Sequence, residues 1–112
     1  MSDCLFCKIV AGDIPATLVA ESANVIAFRD IAPKAPLHVL VVPRTHVANV
    51  TEAAAQIPAV LAEMVALAQQ VADAESDGTY RLVFNTGENA GQSVFHVHGH
   101  VLAGKSLEWE NV

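Results

Sequence analysis

Histidine recurs at every second position through His96-Val97-His98-Gly99-His100-Val101-Leu102, and three imidazoles at that spacing can do chemistry that one cannot. In a β-strand, side chains alternate between faces, so the three rings are expected on one face, roughly 6 to 7 Å apart, with Val97 and Val101 turned to the core. Each buried imidazole needs partners for its ring nitrogens, which a structural role supplies for one histidine more readily than for three. Two chemistries fit. His-x-His on a strand is a spacing that, with a third ligand, holds catalytic zinc. Neutral imidazole is also a competent nucleophile near pH 7, its ordinary pKa being about 6.5. The upstream residues favour the second reading. Asn85 and Gly91-Gln92-Ser93 bring amide, hydroxyl and free backbone donors, as a phosphoryl-transfer site requires. A metal hydrolase would more naturally carry carboxylates there.

A second set of ligand types opens the chain. Cys4-x-x-Cys7, with His46 and one further histidine, could make a closed four-ligand zinc site of two thiolates and two imidazoles. The alternatives are a redox pair or two idle thiols in a reducing compartment.

The elements that must position these groups can be read from hydrophobic period and punctuation. Asp3 is expected to cap a short helix through Val10, stopped by Gly12 with Pro15 barring continuation. Thr17 to Glu21 and Val25 to Arg29 are apolar, β-branched runs around Ser22-Ala23-Asn24, a strand-turn-strand pattern. Leu37 to Val42 predicts a third strand, carrying His38 and ending at Pro43. From Pro58, apolar residues at Leu61, Met64, Val65, Ala68, Val71 and Ala72 follow a 3.6-residue period, with Glu63, Gln69, Gln70 and Asp73 on the wet face. Gly78 closes that helix. A fourth strand is expected over Tyr80 to Thr86 and a fifth over Phe95 to Leu102. The fold class is therefore α+β: a five-stranded, mostly antiparallel sheet with one long and one short helix on one side.

At 112 residues the chain makes one domain, residues 1–112, with 53% hydrophobic and 16% charged residues, a composition that excludes disorder as the dominant state. Its apolar runs fall far short of the roughly 20 residues of a membrane span. The start, Met1-Ser2-Asp3-Cys4, lacks the features of a secretory signal, so a cytoplasmic location is expected. Twelve acidic against six basic residues give a net charge of -6, and no window clusters Lys or Arg. Nucleic acid is thus not an expected partner. A small phosphorylated ligand remains compatible, because backbone amides and histidines hold phosphate without a basic surface.

Taken together, Leu5-Phe6-Cys7-Lys8-Ile9, Gly12-Asp13-Ile14-Pro15, Ala27-Phe28-Arg29-Asp30-Ile31, Ala35-Pro36-Leu37-His38, Val42-Pro43-Arg44-Thr45-His46, Gly91-Gln92-Ser93-Val94-Phe95 and the three histidines resemble the histidine triad family across nearly the whole chain. The likeness is to its nucleotide-binding, phosphoramidase-like branch, and the short tail with Trp109 agrees with that branch. The resemblance implies that His98 attacks an α-phosphorus and forms a nucleotidyl-histidine that water then cleaves, with no catalytic metal. It implies that His100, Gln92 and Asn85 hold phosphoryl oxygens, that Ser93 assists the leaving group and that His38 supports the triad. Asp30 matches the position that binds both ribose hydroxyls, although a loop Asp needs no such role. Phe6, Ile9, Ile14, Phe28 and Ile31, with Leu5, match the base cleft, although each would serve as ordinary core. Cys4, Cys7, His46 and His96 match a structural zinc site found in some members, which requires His96 to leave the face it shares with His98. The resemblance further implies a homodimer joined sheet edge to sheet edge, with the Trp109 tail reaching the partner's site. Gly99 departs from the pattern, which has a bulky apolar residue there. A glycine is expected to loosen the strand or open space near His98.

The expected substrate is a purine nucleotide or nucleoside phosphoramidate. An apolar slot with one ribose carboxylate discriminates poorly between adenosine and guanosine. Two rivals stand beside this: a zinc-dependent hydrolase built on the His-x-His-x-His strand, and a nucleotide-binding regulatory protein whose hydrolysis is incidental.

Overall fold

A computed structural model describes residues 3–108; Trp109 and the rest of the tail lie outside the described residues. Helix α1, Leu5–Ala11, is capped by Cys4, whose Sγ accepts the Cys7 backbone N–H at 3.3 Å. Cys4 therefore takes the capping role expected of Asp3. Gly12 ends the helix in the left-handed region, φ 83°, its N–H returned to the Ile9 and Lys8 carbonyls, a conformation a side chain resists.

Strands β1, Leu18–Glu21, β2, Val25–Arg29, and β3, Leu37–Pro43, follow as a meander. The long helix starts at Pro58 as expected, but a separate helix, α2, Val50–Gln56, precedes it. Its signal is a local one: Asn49 Oδ1 accepts the Glu52 N–H at 2.9 Å, a side-chain cap three residues ahead of an acidic partner. Ile57 then breaks the path, and α3 runs Pro58–Glu75. Met64, Leu67, Ala68, Val71 and Ala72 form its buried stripe. Leu67 thus takes the core place expected of Val65, which is 42% exposed. Glu63 stays partly exposed and accepts hydrogen bonds from Ser22 Oγ and from the Asn24 amide and side chain, which pins the β1–β2 turn to α3.

Strand β4 covers Arg81–Val83 and β5 covers Gly99–Ala103, both shorter than expected. The sheet order is β1-β2-β3-β5-β4 with every pairing antiparallel. The β3–β5 ladder stops at Val41 opposite Gly99. Beyond it Pro43 has no N–H to give, and the Val97 amide turns instead to the Val47 carbonyl at 2.8 Å.

Alternation along the strands divides two cores. Val25, Ala27, Val39, Val41, Val101 and Ala103 pack under α3. Ile26, Phe28, Leu40 and Val42 form the opposite face with Phe6 of α1, so the short and long helices expected on one side lie on opposite faces, because both faces of β2 and β3 are apolar. His38 and His100 share that second face, since His100 pairs with Leu40 and His38 with Leu102. No helix among the described residues is long and apolar enough to cross a membrane.

Candidate active site

Only His100 lies on β5, while His96 and His98 belong to the segment that enters it. The expectation of one strand bearing all three is corrected accordingly, although the His98 and His100 rings still stand side by side, centroids 5.1 Å apart, and Phe6 packs against both His96 and His98. Val97 and Val101 are buried as expected.

His98 donates Nδ1–H to the His96 carbonyl at 2.9 Å, which fixes the tautomer and leaves the Nε2 lone pair unprotonated. The residue lines a cleft of ≈ 720 Å³. Burial holds its pKa below the ordinary value, against the opposing effects of that hydrogen bond and of Asp30. At neutral pH the ring is thus neutral, with an Nε2 lone pair chemically able to act as a nucleophile.

His100 and His38 form a relay. The Lys34 amide donates to His38 Nδ1 at 2.9 Å, so the His38 proton sits on Nε2 and is given to His100 Nδ1 at 3.0 Å. His100 must then carry its own proton on Nε2, ready for an oxyanion. Burial first, then the neighbouring His98 and His38, push the His100 pKa down to about 4. His38 is also lowered by burial, which outweighs Asp30, whose Oδ2 lies 3.4 Å from His38 Nε2.

Strands β3 and β5, with the segment that enters β5, supply these rings, and α1 closes the cleft over them. Phe6, Ile9, Ile14, Phe28 and Ile31 all line it, with Asp30, Ser93, His98 and His100. Ile31 is fully exposed at its rim. Asp30 Oδ1 accepts the Ala32 amide at 2.7 Å, so the carboxylate also shapes its own turn. Asn85 is not among the cleft-lining residues. Gln92 is 4% exposed; its Oε1 accepts the Gly87 amide, and its Nε2 donates to the Ala48 and Val94 carbonyls. Both amide protons are spent on these carbonyls, so in this arrangement Gln92 ties its loop to the Ala48 segment and has none left for a phosphoryl oxygen.

Cys4, Cys7, His46 and His96 meet at the mouth of α1. His96 Nδ1 lies 3.3 Å from Cys4 Sγ, 3.5 Å from Cys7 Sγ and 3.2 Å from His46 Nδ1, and His46 Nδ1 lies 3.4 Å from Cys7 Sγ. A tetrahedral zinc, with metal–sulfur near 2.3 Å and metal–nitrogen near 2.0 Å, needs donors roughly 3.3 to 3.8 Å apart. The four residues fit. His96 Nε2–H is meanwhile given to the Pro43 carbonyl at 2.8 Å, the outer-shell bond that holds a ligating imidazole in the right tautomer. This resolves the conflict over His96, which reaches the cluster because it precedes the strand. With His96 Nδ1 aimed at the thiols and His98 Nδ1 at a carbonyl, the three imidazoles do not converge on a shared metal.

Gly99 is on the opposite face. A Cβ there would come within 2.8 Å of Leu82 Cδ1 and 3.0 Å of the Phe84 ring, so its missing side chain is filled by core and opens no space at His98. The Pro43, His96 and Lys34 backbone groups that set the tautomers could not be found by sequence reading, because every residue carries such groups.

The chain thus joins a small antiparallel sheet to an oriented histidine that faces an apolar cleft and to a thiol–imidazole cluster beside it. The HIT domain family profile matches residues 11–107, and the chain belongs to that family. A HIT family hydrolase from Legionella pneumophila Philadelphia 1 is 44% identical and superposes with a TM-score of 0.90, covering 98% of this chain and 100% of its own. The purine nucleoside phosphoramidase of Escherichia coli strain K12 is 37% identical over 92% of this chain and 88% of its own. A Zn-bound histidine triad family protein from Mycobacterium smegmatis is 34% identical, with a TM-score of 0.79, covering 93% of this chain and 76% of its own.

Proposed function

We propose that the protein is a nucleotidyl hydrolase or transferase that cleaves purine nucleoside 5′-phosphoramidates through a covalent intermediate on His98. The observation that carries this is the His98 Nδ1–His96 carbonyl bond at 2.9 Å in a residue that lines the cleft, which leaves Nε2 as the reacting lone pair. His98 Nε2 bonds to the α-phosphorus as the P–N bond breaks, and the departing amine takes a proton with help from Ser93. Water then attacks the same phosphorus, the P–N bond to His98 breaks, and free His98 and the nucleoside monophosphate result. His100, its Nε2–H aimed by His38, stabilises the charge on the phosphoryl oxygens. Asp30 holds the ribose, and Phe28, Ile9 and Ile14 hold the base. The similarity to the Escherichia coli phosphoramidase supports this choice of substrate.

Zinc on Cys4, Cys7, His46 and His96 would tie α1 to the loops around it and take no part in the reaction. The short, terminal β4 would pair with a second copy to make a homodimer, since an open strand edge favours such pairing. A cytoplasmic location suits the free thiols.

The test is turnover of a fluorogenic adenosine phosphoramidate by the wild type and by His98→Ala, with mass spectrometry of acid-quenched enzyme. Turnover lost in the variant, together with a nucleotide adduct on His98 in the wild type, is expected. Retained turnover in His98→Ala would overturn the mechanism.

A further inference from the structure

Two supports hold the His98 imidazole, and both belong to residues in or between the members of the thiol–imidazole cluster. The first is the His96 carbonyl. The same residue sends Nδ1 to the thiols and Nε2–H to Pro43, so its backbone position is tied to the cluster. The second is Phe6, 5% exposed, whose ring stands edge-on to His98 with centroids 5.0 Å apart at 86°. Phe6 sits between Cys4 and Cys7 in the first turn of α1, a turn closed by the Cys4 Sγ–Cys7 amide bond. Its ring also meets His96 at 6.1 Å and Phe28 at 5.6 Å, so it is wedged among the cluster, the nucleophile and the sheet.

We propose that Phe6 is a positioning residue through which occupancy of the Cys4–Cys7–His46–His96 cluster sets the orientation of the His98 ring. The proposal rests on His98 being the nucleophile. A cation on all four donors fixes the α1 turn and the His96 backbone together. In its absence the donors are joined by weak thiol hydrogen bonds and by the single His46 Nδ1–His96 Nδ1 contact, and both supports gain freedom. An edge-to-face contact is directional, so a shift of α1 turns the ring that Phe6 abuts. A misplacement well under an ångström at a nucleophile lowers the rate of the chemical step more than it lowers ground-state binding.

The experiment records the ring nitrogens of His98 by NMR of 15N-histidine-labelled protein in three samples: zinc-loaded wild type, chelator-stripped wild type and zinc-loaded Phe6→Leu. Zinc content, kcat and AMP affinity are measured alongside. In the loaded wild type, His98 is expected to show a single Nδ1–H tautomer. In the other two samples its signals should move towards averaged values, with kcat down about tenfold and AMP affinity changed less than about twofold. Unchanged ring signals in both would overturn the proposal, as would a Phe6→Leu variant that keeps kcat and loses AMP affinity, the behaviour of a mere cleft wall. If stripping unfolds the chain, Phe6→Leu at full zinc content decides. Ring signals that respond in an enzyme unable to cleave phosphoramidates would sink the assigned reaction and leave the coupling standing; intact His98-dependent turnover with unresponsive signals would do the reverse.

Discussion

His38 Nε2 and His100 Nδ1 lie 3.0 Å apart on adjacent strands, and the Lys34 amide dictates which of them carries the proton. The pair translates a backbone N–H into a fixed tautomer at His100, the imidazole proposed to meet the phosphoryl oxygens. His38→Ala removes the donor and leaves a buried acceptor without a partner, a loss of about 1 to 3 kcal/mol. If it falls on the transition state, kcat should drop roughly five- to a hundredfold, with AMP affinity less affected. Equal losses in both would show that His38 serves ground-state binding.

Acid should destabilise the fold through the same pair. His100 has its pKa lowered to about 4 by burial and by its histidine neighbours, against about 6.5 unfolded. Between those values the unfolded chain binds a proton that the folded chain does not, so stability rises with pH across the window and is fully present above it. Falling pH should cost up to about 1.4 kcal/mol per unit from this group. Urea midpoints at pH 7 and pH 5 measure the slope, which should flatten in His100→Gln.

Asp30 faces two candidate duties, its own turn and the ribose. The turn bond to Ala32 uses Oδ1, and an amide oxygen replaces it in Asp30→Asn. The variant should therefore keep the wild-type melting temperature while losing about tenfold in AMP affinity, since a charged acceptor contributes roughly 1.5 to 3 kcal/mol. The 2′-deoxy nucleotide separates the duties: it should bind the two proteins about equally, whereas a pure turn role leaves ribose discrimination intact.

Gly99 should tolerate a side chain only if the core makes room. The Cβ space is occupied by Leu82 and Phe84, so Gly99→Val is expected to cost about 1 to 3 kcal/mol by overpacking. Adding Leu82→Ala should recover part of that loss in a double-mutant cycle. Additive losses would show that the strain is in the backbone.

What the sequence determined by itself was everything carried by local pattern. The bounds of β2 and β3, the start of α3 at Pro58 and the stop at Gly12 follow from apolar, β-branched runs, helical period and the special backbones of proline and glycine. The triad of histidines was legible from its spacing, whereas the thiol cluster was only half so, since Cys4, Cys7 and His46 suggested a zinc site and the resemblance alone supplied His96 as its fourth member. The tertiary structure alone decided how those side chains divide. His96 and His98 lie two residues apart and look equivalent, yet one ring is turned to the thiols by the Pro43 carbonyl and the other to the cleft by the His96 carbonyl. Gln92 reads as a ligand donor and is instead consumed by the backbone of its own loop and by the Ala48 carbonyl ahead of α2. Gly99 reads as a gap beside the nucleophile and is a close-packed point of the opposite core. In each case the deciding partner is a main-chain group or a packed neighbour brought close by the folded chain, and the residue types along the sequence leave no mark of it.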